Sequence, residues 1–147
     1  MFGQATQSQV IPFREFPDGI FLVRKPSTKI PVADHYGVLV NGESLKAFGV
    51  PPYNPVIIHR APDMRAERAD ATGIWEAVDE VPHNQTQFAV GRVAEAFDDP
   101  NYYVLTNNCE HTARYITSGE KRSTQVEWLI LGGLAAFLIF LVNRSDS

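Results

Sequence analysis

The chain has 147 residues, one cysteine, four histidines and a formal charge of −4 at neutral pH. That length suits one domain of about 120 residues plus a tail. The acidic balance, with no Lys/Arg cluster interleaved with aromatics, argues against a nucleic-acid partner, and a lone thiol excludes an intramolecular disulfide and suits a reducing compartment such as the cytosol.

In chain order, residues 1–16 carry no basic-then-apolar signal pattern and are expected to form a flexible arm. Ile20 to Arg24 reads as a strand. His35 to Val40 reads as a second, ending in the turn Asn41-Gly42, and Pro55 to His59 as a third. Ala61 to Thr72 mixes Arg and Asp closely and reads as an exposed loop or short helix. Gly73 to Val78 is a further strand candidate. Val90, Val93, Ala94 and Phe97 lie on one face of an amphipathic helix over Phe88–Phe97, which Asp98-Asp99-Pro100 stops. Asn101 to Thr106 is aromatic and β-branched, so a strand is expected there. Asn107 and Asn108 supply turn and N-cap, and Cys109 to Ser118 reads as a helix closed by Gly119. The expected fold class is α+β: an antiparallel sheet with packed helices over residues 17–122, followed by a tail over 123–147.

This places the one thiol in the first turn of a helix. Unpaired N–H groups and the positive dipole end there favour thiolate and are able to hold a developing oxyanion, so a lowered thiol pKa is expected. His35 and His59 lie in strand-like runs upstream, where one could act as a base for Cys109 and the other could orient that base. Taken singly, each is better explained as a hydrogen-bonded structural residue than as a catalyst. His111, two positions beyond Cys109 on the same helix, points about 200° away and is expected only to support. His83 belongs to a polar loop, and Glu110 suits the dipole with no chemistry assigned. No Cys-x-x-Cys or His-x-x-x-His pair, Gly-rich phosphate loop or dinucleotide fingerprint occurs, so neither metal nor organic cofactor is expected.

Asn108-Cys109-Glu110-His111 resembles the Asn-Cys-Glu-His box of the lecithin:retinol acyltransferase family, which includes the small tail-anchored phospholipase A/acyltransferases. Asp34-His35-Tyr36-Gly37-Val38 is similar to that family's His-Tyr-Gly strand. Ile58-His59-Arg60-Ala61-Pro62 is similar to its His-Leu-Ala-Pro segment, and Pro17 to Arg24 to its opening strand. The resemblance implies that Cys109 is the nucleophile, His35 the general base and His59 the third polar residue. It also implies a circularly permuted papain-like fold and no cofactor. Thr112 stands where the small phospholipases usually carry Phe, and Asp63 to Asn84 departs from the pattern.

Trp128 to Val142 contains no charged residue. As a helix it would span roughly 22 Å, and flanking residues that reach outward narrow the gap to a hydrocarbon core of about 30 Å. Trp128 suits an interfacial anchor. Gly132 and Ala136 form a small-xxx-small pair, a spacing that favours weak self-association. Lys121 and Arg122 before the run, against Arg144 after it, favour a cytosolic domain. The expectation is a single-pass tail anchor carrying a cysteine-dependent acyltransferase or phospholipase A. Its partners would be the bilayer, a membrane phospholipid and an acyl acceptor. An amide- or peptide-cleaving thiol hydrolase and a non-catalytic, membrane-anchored interaction domain are the alternatives.

Overall fold

The computed structural model describes residues 16–27, 33–101, 103 and 108–145. Strands β1 (Gly19–Pro26), β2 (Asp34–Asn41), β3 (Val56–Arg60), β4 (Met64–Arg68) and β5 (Glu76–Glu80) form one antiparallel sheet in the order β4-β3-β2-β1-β5. Helices α1 (Thr86–Asp98), α2 (Cys109–Ser118) and α3 (Thr124–Ser145) follow. The class is α+β, as the sequence pattern implies.

Period-two alternation divides the sheet into two buried faces. Ile20, Leu22, Tyr36, Val38, Val40 and Ile58 face α1 and α2, meeting Ala89, Val93, Ala113 and Ile116. Phe21, Val23, Leu39 and Ile57 face the other way and are covered by Phe16, Ala69 and Trp75. Burial on both faces is why the central strands read as near-continuous apolar runs. Register is regular across the centre: Ile20↔Val40 and Leu22↔Val38 between β1 and β2, then Val38↔Ile58 and Val40↔Val56 between β2 and β3.

Three expectations are corrected. Residues 64–68, read as loop or short helix, form β4, paired along its length with β3. It is an edge strand with Arg65, Ala66 and Arg68 exposed, and the backbone ladder supplies the pairing that its polar side chains concealed. β5 begins three residues later than the expected strand, because Trp75 leaves the ladder to fill the core. Phe16, assigned to the arm, is buried with its ring centroid 5.3 Å from that of Phe21. The rest of the arm, residues 1–15, lies outside the described residues, as do 102 and 104–106 of the strand expected over 101–106 and the expected turn residue 107.

α3 has 22 residues and is about 33 Å long. It is long and apolar enough to cross a membrane, and only 6% of its most apolar window is buried. The large apolar side chains from Trp128 to Val142 stand 44–74% exposed. Its first turn is different in kind. Ser123 and Val126 are buried, and Ser123 to Gln125 are hydrogen-bonded into the domain.

Candidate active site

The Asn-Cys-Glu-His run builds a helix start. Asn108 is the N-cap of α2, with extended backbone, and its Oδ1 accepts from the His111 N–H at 3.0 Å. The His111 Nδ1 in turn accepts from the Asn108 N–H at 3.5 Å, which completes a reciprocal cap. This is the supporting role expected of His111, and burial lowers its pKa, favouring the neutral ring that the cap requires. Gly119 closes the helix in the left-handed region at φ 80°, donating to the Tyr115 carbonyl.

Cys109 therefore occupies the first helical position. The backbone N–H groups of Tyr36, Glu110 and Cys109 each favour the charged form of its thiol. The expected lowered thiol pKa does not hold. Burial pushes the thiol above its ordinary value, and the Glu110 carboxylate adds to this against the pull of the N–H donors. Desolvation outweighs the helix start, so the resting group is a neutral thiol that needs a base.

His35 on β2 and His59 on β3 come together, with His35 Nε2 and His59 Nδ1 2.8 Å apart. The rings meet edge-on at 5.1 Å between centroids, and both lie against Trp75, at 5.6 and 6.2 Å. Gly37 leaves room for the pair. A Cβ there would approach Ile57 Cγ2 to 3.3 Å and His59 Cβ to 3.4 Å. The chain of contacts continues to a residue that the sequence reading passed over: His59 Nε2 lies 2.7 Å from Glu67 Oε2 on β4.

One of the N–H groups that favour the charged thiol belongs to Tyr36, the residue after His35, so the Cys109 thiol sits beside the backbone of β2. Alternation turns the Tyr36 side chain toward the helices and the His35 ring toward Trp75. Cys109 packs against the helix-side cluster and His35 against Trp75, near the end of β2 beyond the Val38↔Ile58 pair that closes its described ladder with β3. His83 stands apart, at the start of a short 3-10 turn before α1.

Glu110 is wholly buried and accepts six hydrogen bonds, from Arg114, Ser123, the Thr124 backbone and hydroxyl, and the Gln125 backbone and side chain. Burial raises its pKa, but the donors from Ser123, Thr124, Arg114 and Gln125 overcome that and bring it down to about 2. The carboxylate thereby caps the N-terminus of α3. Gln125 also clamps the backbone of Asp34, accepting from its N–H at 2.7 Å and donating to its carbonyl at 3.2 Å. The start of α3 is thus fastened to the residue after Cys109 and to the residue before His35. Nearby, the buried Arg60 donates to Thr112 Oγ1 and to the carbonyls of Ala96, Asp99 and Asn101, which ties β3 to the end of α1 and to α2.

Comparison with known proteins gives no match to any protein-family model and none to a curated protein sequence.

Proposed function

We propose that this chain is a membrane-anchored thiol acyltransferase or phospholipase A of the lecithin:retinol acyltransferase type, with a permuted papain-like domain. One observation carries the reading: Cys109 stands at a capped helix start beside the backbone that follows His35, and the His35 ring is bonded to His59. A resting thiol held neutral by burial gives the base a definite task. His35 takes the proton from Cys109. The thiolate attacks an ester carbonyl, and the N–H groups of the first helical turn receive the oxyanion. The proton returns to the leaving lysolipid oxygen, leaving an acyl thioester on Cys109. Water then yields a free fatty acid, or an amine or a lysolipid takes the acyl group.

The apolar α3, exposed along its length, spans the bilayer and holds this chemistry beside a substrate that stays in the membrane. The charges flanking it leave the domain in the cytosol. Thr112, in place of the usual Phe, is buried with its hydroxyl bonded to Arg60, so this side of the site is more polar than in the small phospholipases it resembles. The test is release of fatty acid and lysolipid from phosphatidylcholine vesicles carrying the full-length protein. Release that disappears in Cys109→Ala and in His35→Ala is expected. Equal release from the wild type and Cys109→Ala would overturn the proposal.

A further inference from the structure

Glu67 has no part in the expected set of Cys109, His35 and His59, yet it ends the same line of contacts. β3 and β4 pair with Ile57 opposite Glu67 and His59 opposite Arg65. Partners in an antiparallel pair share a face, so Glu67 lies on the His59 face, one diagonal step away. The 2.7 Å contact of its Oε2 is with His59 Nε2, and His59 is only 8% exposed.

The chemistry of the donors then fixes each proton. An ionised carboxylate only accepts, so His59 Nε2 must carry its hydrogen. In the neutral ring, His59 Nδ1 is then an acceptor. The contact of that Nδ1 with His35 Nε2, at 2.8 Å, requires the hydrogen to sit on His35 Nε2. The lone pair of a neutral His35 is left on Nδ1. Without the carboxylate, His59 is free to adopt the opposite tautomer and donate from Nδ1. His35 would then accept at Nε2 and carry its hydrogen on Nδ1, with no basic nitrogen left for a thiol.

We propose that Glu67 is a positioning residue, the fourth member of the site, which holds His59 protonated on Nε2 and so makes Nδ1 the basic nitrogen of His35. The inference rests on the acyl-transfer reading above. Among the described residues, the charged and titratable groups that face Glu67 are His59 on β3 and Lys25 on β1, with Arg65 two positions along its own strand. Lys25 attracts the carboxylate while donating to the Thr72 carbonyl and lying 4.5 Å from the centroid of the Trp75 ring. Glu67 therefore faces one cation while its Oε2 meets the His59 ring. Its side chain is 42% exposed on an edge strand, so replacing it leaves the core in place.

The experiment records imidazole nitrogen–hydrogen correlation spectra of the full-length protein in detergent micelles, which report each ring's tautomer directly. Turnover of a short-chain, water-soluble ester is measured alongside. In the wild type, His59 and His35 are both expected as Nε2–H tautomers. In Glu67→Ala, His35 gains the Nδ1–H form, and kcat falls about 100-fold with KM little changed. Glu67→Gln, whose amide oxygen still accepts, keeps the tautomers and returns kcat to within about tenfold of the wild type. A wild-type His35 protonated on Nδ1, or a Glu67→Ala protein with unchanged spectra, would overturn the proposal. These spectra are independent of catalysis. Ester turnover that persists in Cys109→Ala would remove the acyl-transfer reading and leave the tautomer result standing.

Discussion

Replacing Glu110 by Gln keeps the side-chain length but exchanges one acceptor oxygen for an NH2 group that faces donors. The wild-type carboxylate takes six hydrogen bonds while wholly buried. Its fall from the ordinary 4.5 to about 2 corresponds to about 3 kcal/mol, at about 1.4 kcal/mol per unit. Two or three buried donors left without a partner lead to a similar figure, at about 1–3 kcal/mol each. Because the folded pKa is depressed, this stabilisation is fully present above about pH 5 and is lost as pH falls toward 2. Glu110→Gln is therefore expected to lose about 3 kcal/mol at pH 7, a large share of a typical domain's stability. The gap to the wild type should narrow on acidification. Urea unfolding of the full-length chain in detergent, followed by Trp75 fluorescence in a Trp128→Phe background, measures both effects. A variant within about 0.5 kcal/mol of the wild type from pH 4 to 8 would refute the capping account.

Burial raises the Cys109 thiol, so the iodoacetamide rate in His35→Ala should reach its half-point above the free-thiol value of about 8.5. At pH 7 that variant should react at least about tenfold more slowly than the wild type; equal rates would deny His35 the role of base. His111 has a lowered pKa, so its cap is intact above the unfolded value of about 6.5 and protonation opposes it below; unfolding midpoints should drop between pH 7.5 and 5.5 in the wild type and less in His111→Gln. Truncation after Arg122 removes five of the six donors to Glu110, and truncation after Glu127 removes none. The longer product should be soluble, folded by circular dichroism and active on a water-soluble ester, the shorter one unfolded. Arg60→Leu strips its bonds to Thr112 and three carbonyls, and a loss of about 3 kcal/mol in urea unfolding is expected.

The elements with strong patterning were legible in the sequence. β1, β2 and β3 announce themselves by apolar runs, and α2 by Asn108 at one end and Gly119 at the other; α1 forms as expected, but its buried face is Ala89, Val93 and Ala96, and of the expected Val90, Val93, Ala94 and Phe97 only Val93 is buried. β4 was not legible, because an edge strand exposes its side chains and draws its pairing from the backbone. That omission also hid Glu67, whose place in the site exists only through the β3–β4 register. The thiol's pKa was misjudged because burial is a tertiary quantity, absent from a local pattern that shows only the helix start. Glu110 was read as a dipole residue for the same reason. Five of its six donors lie 13 to 15 positions downstream, in the segment assigned to the tail. Read alone, that segment shows its apolar run and not the polar first turn that fastens it to the domain.

The central claim is that Cys109 carries an acyl group during turnover. Intact-mass measurement of the full-length protein, quenched in acid after brief incubation with phosphatidylcholine vesicles, tests it most directly. The account predicts a mass increase of one acyl chain, mapped to the peptide bearing Cys109, cleared by hydroxylamine and absent from Cys109→Ala. An unmodified Cys109 in protein that is releasing fatty acid, with hydroxylamine trapping no acyl group, would contradict it.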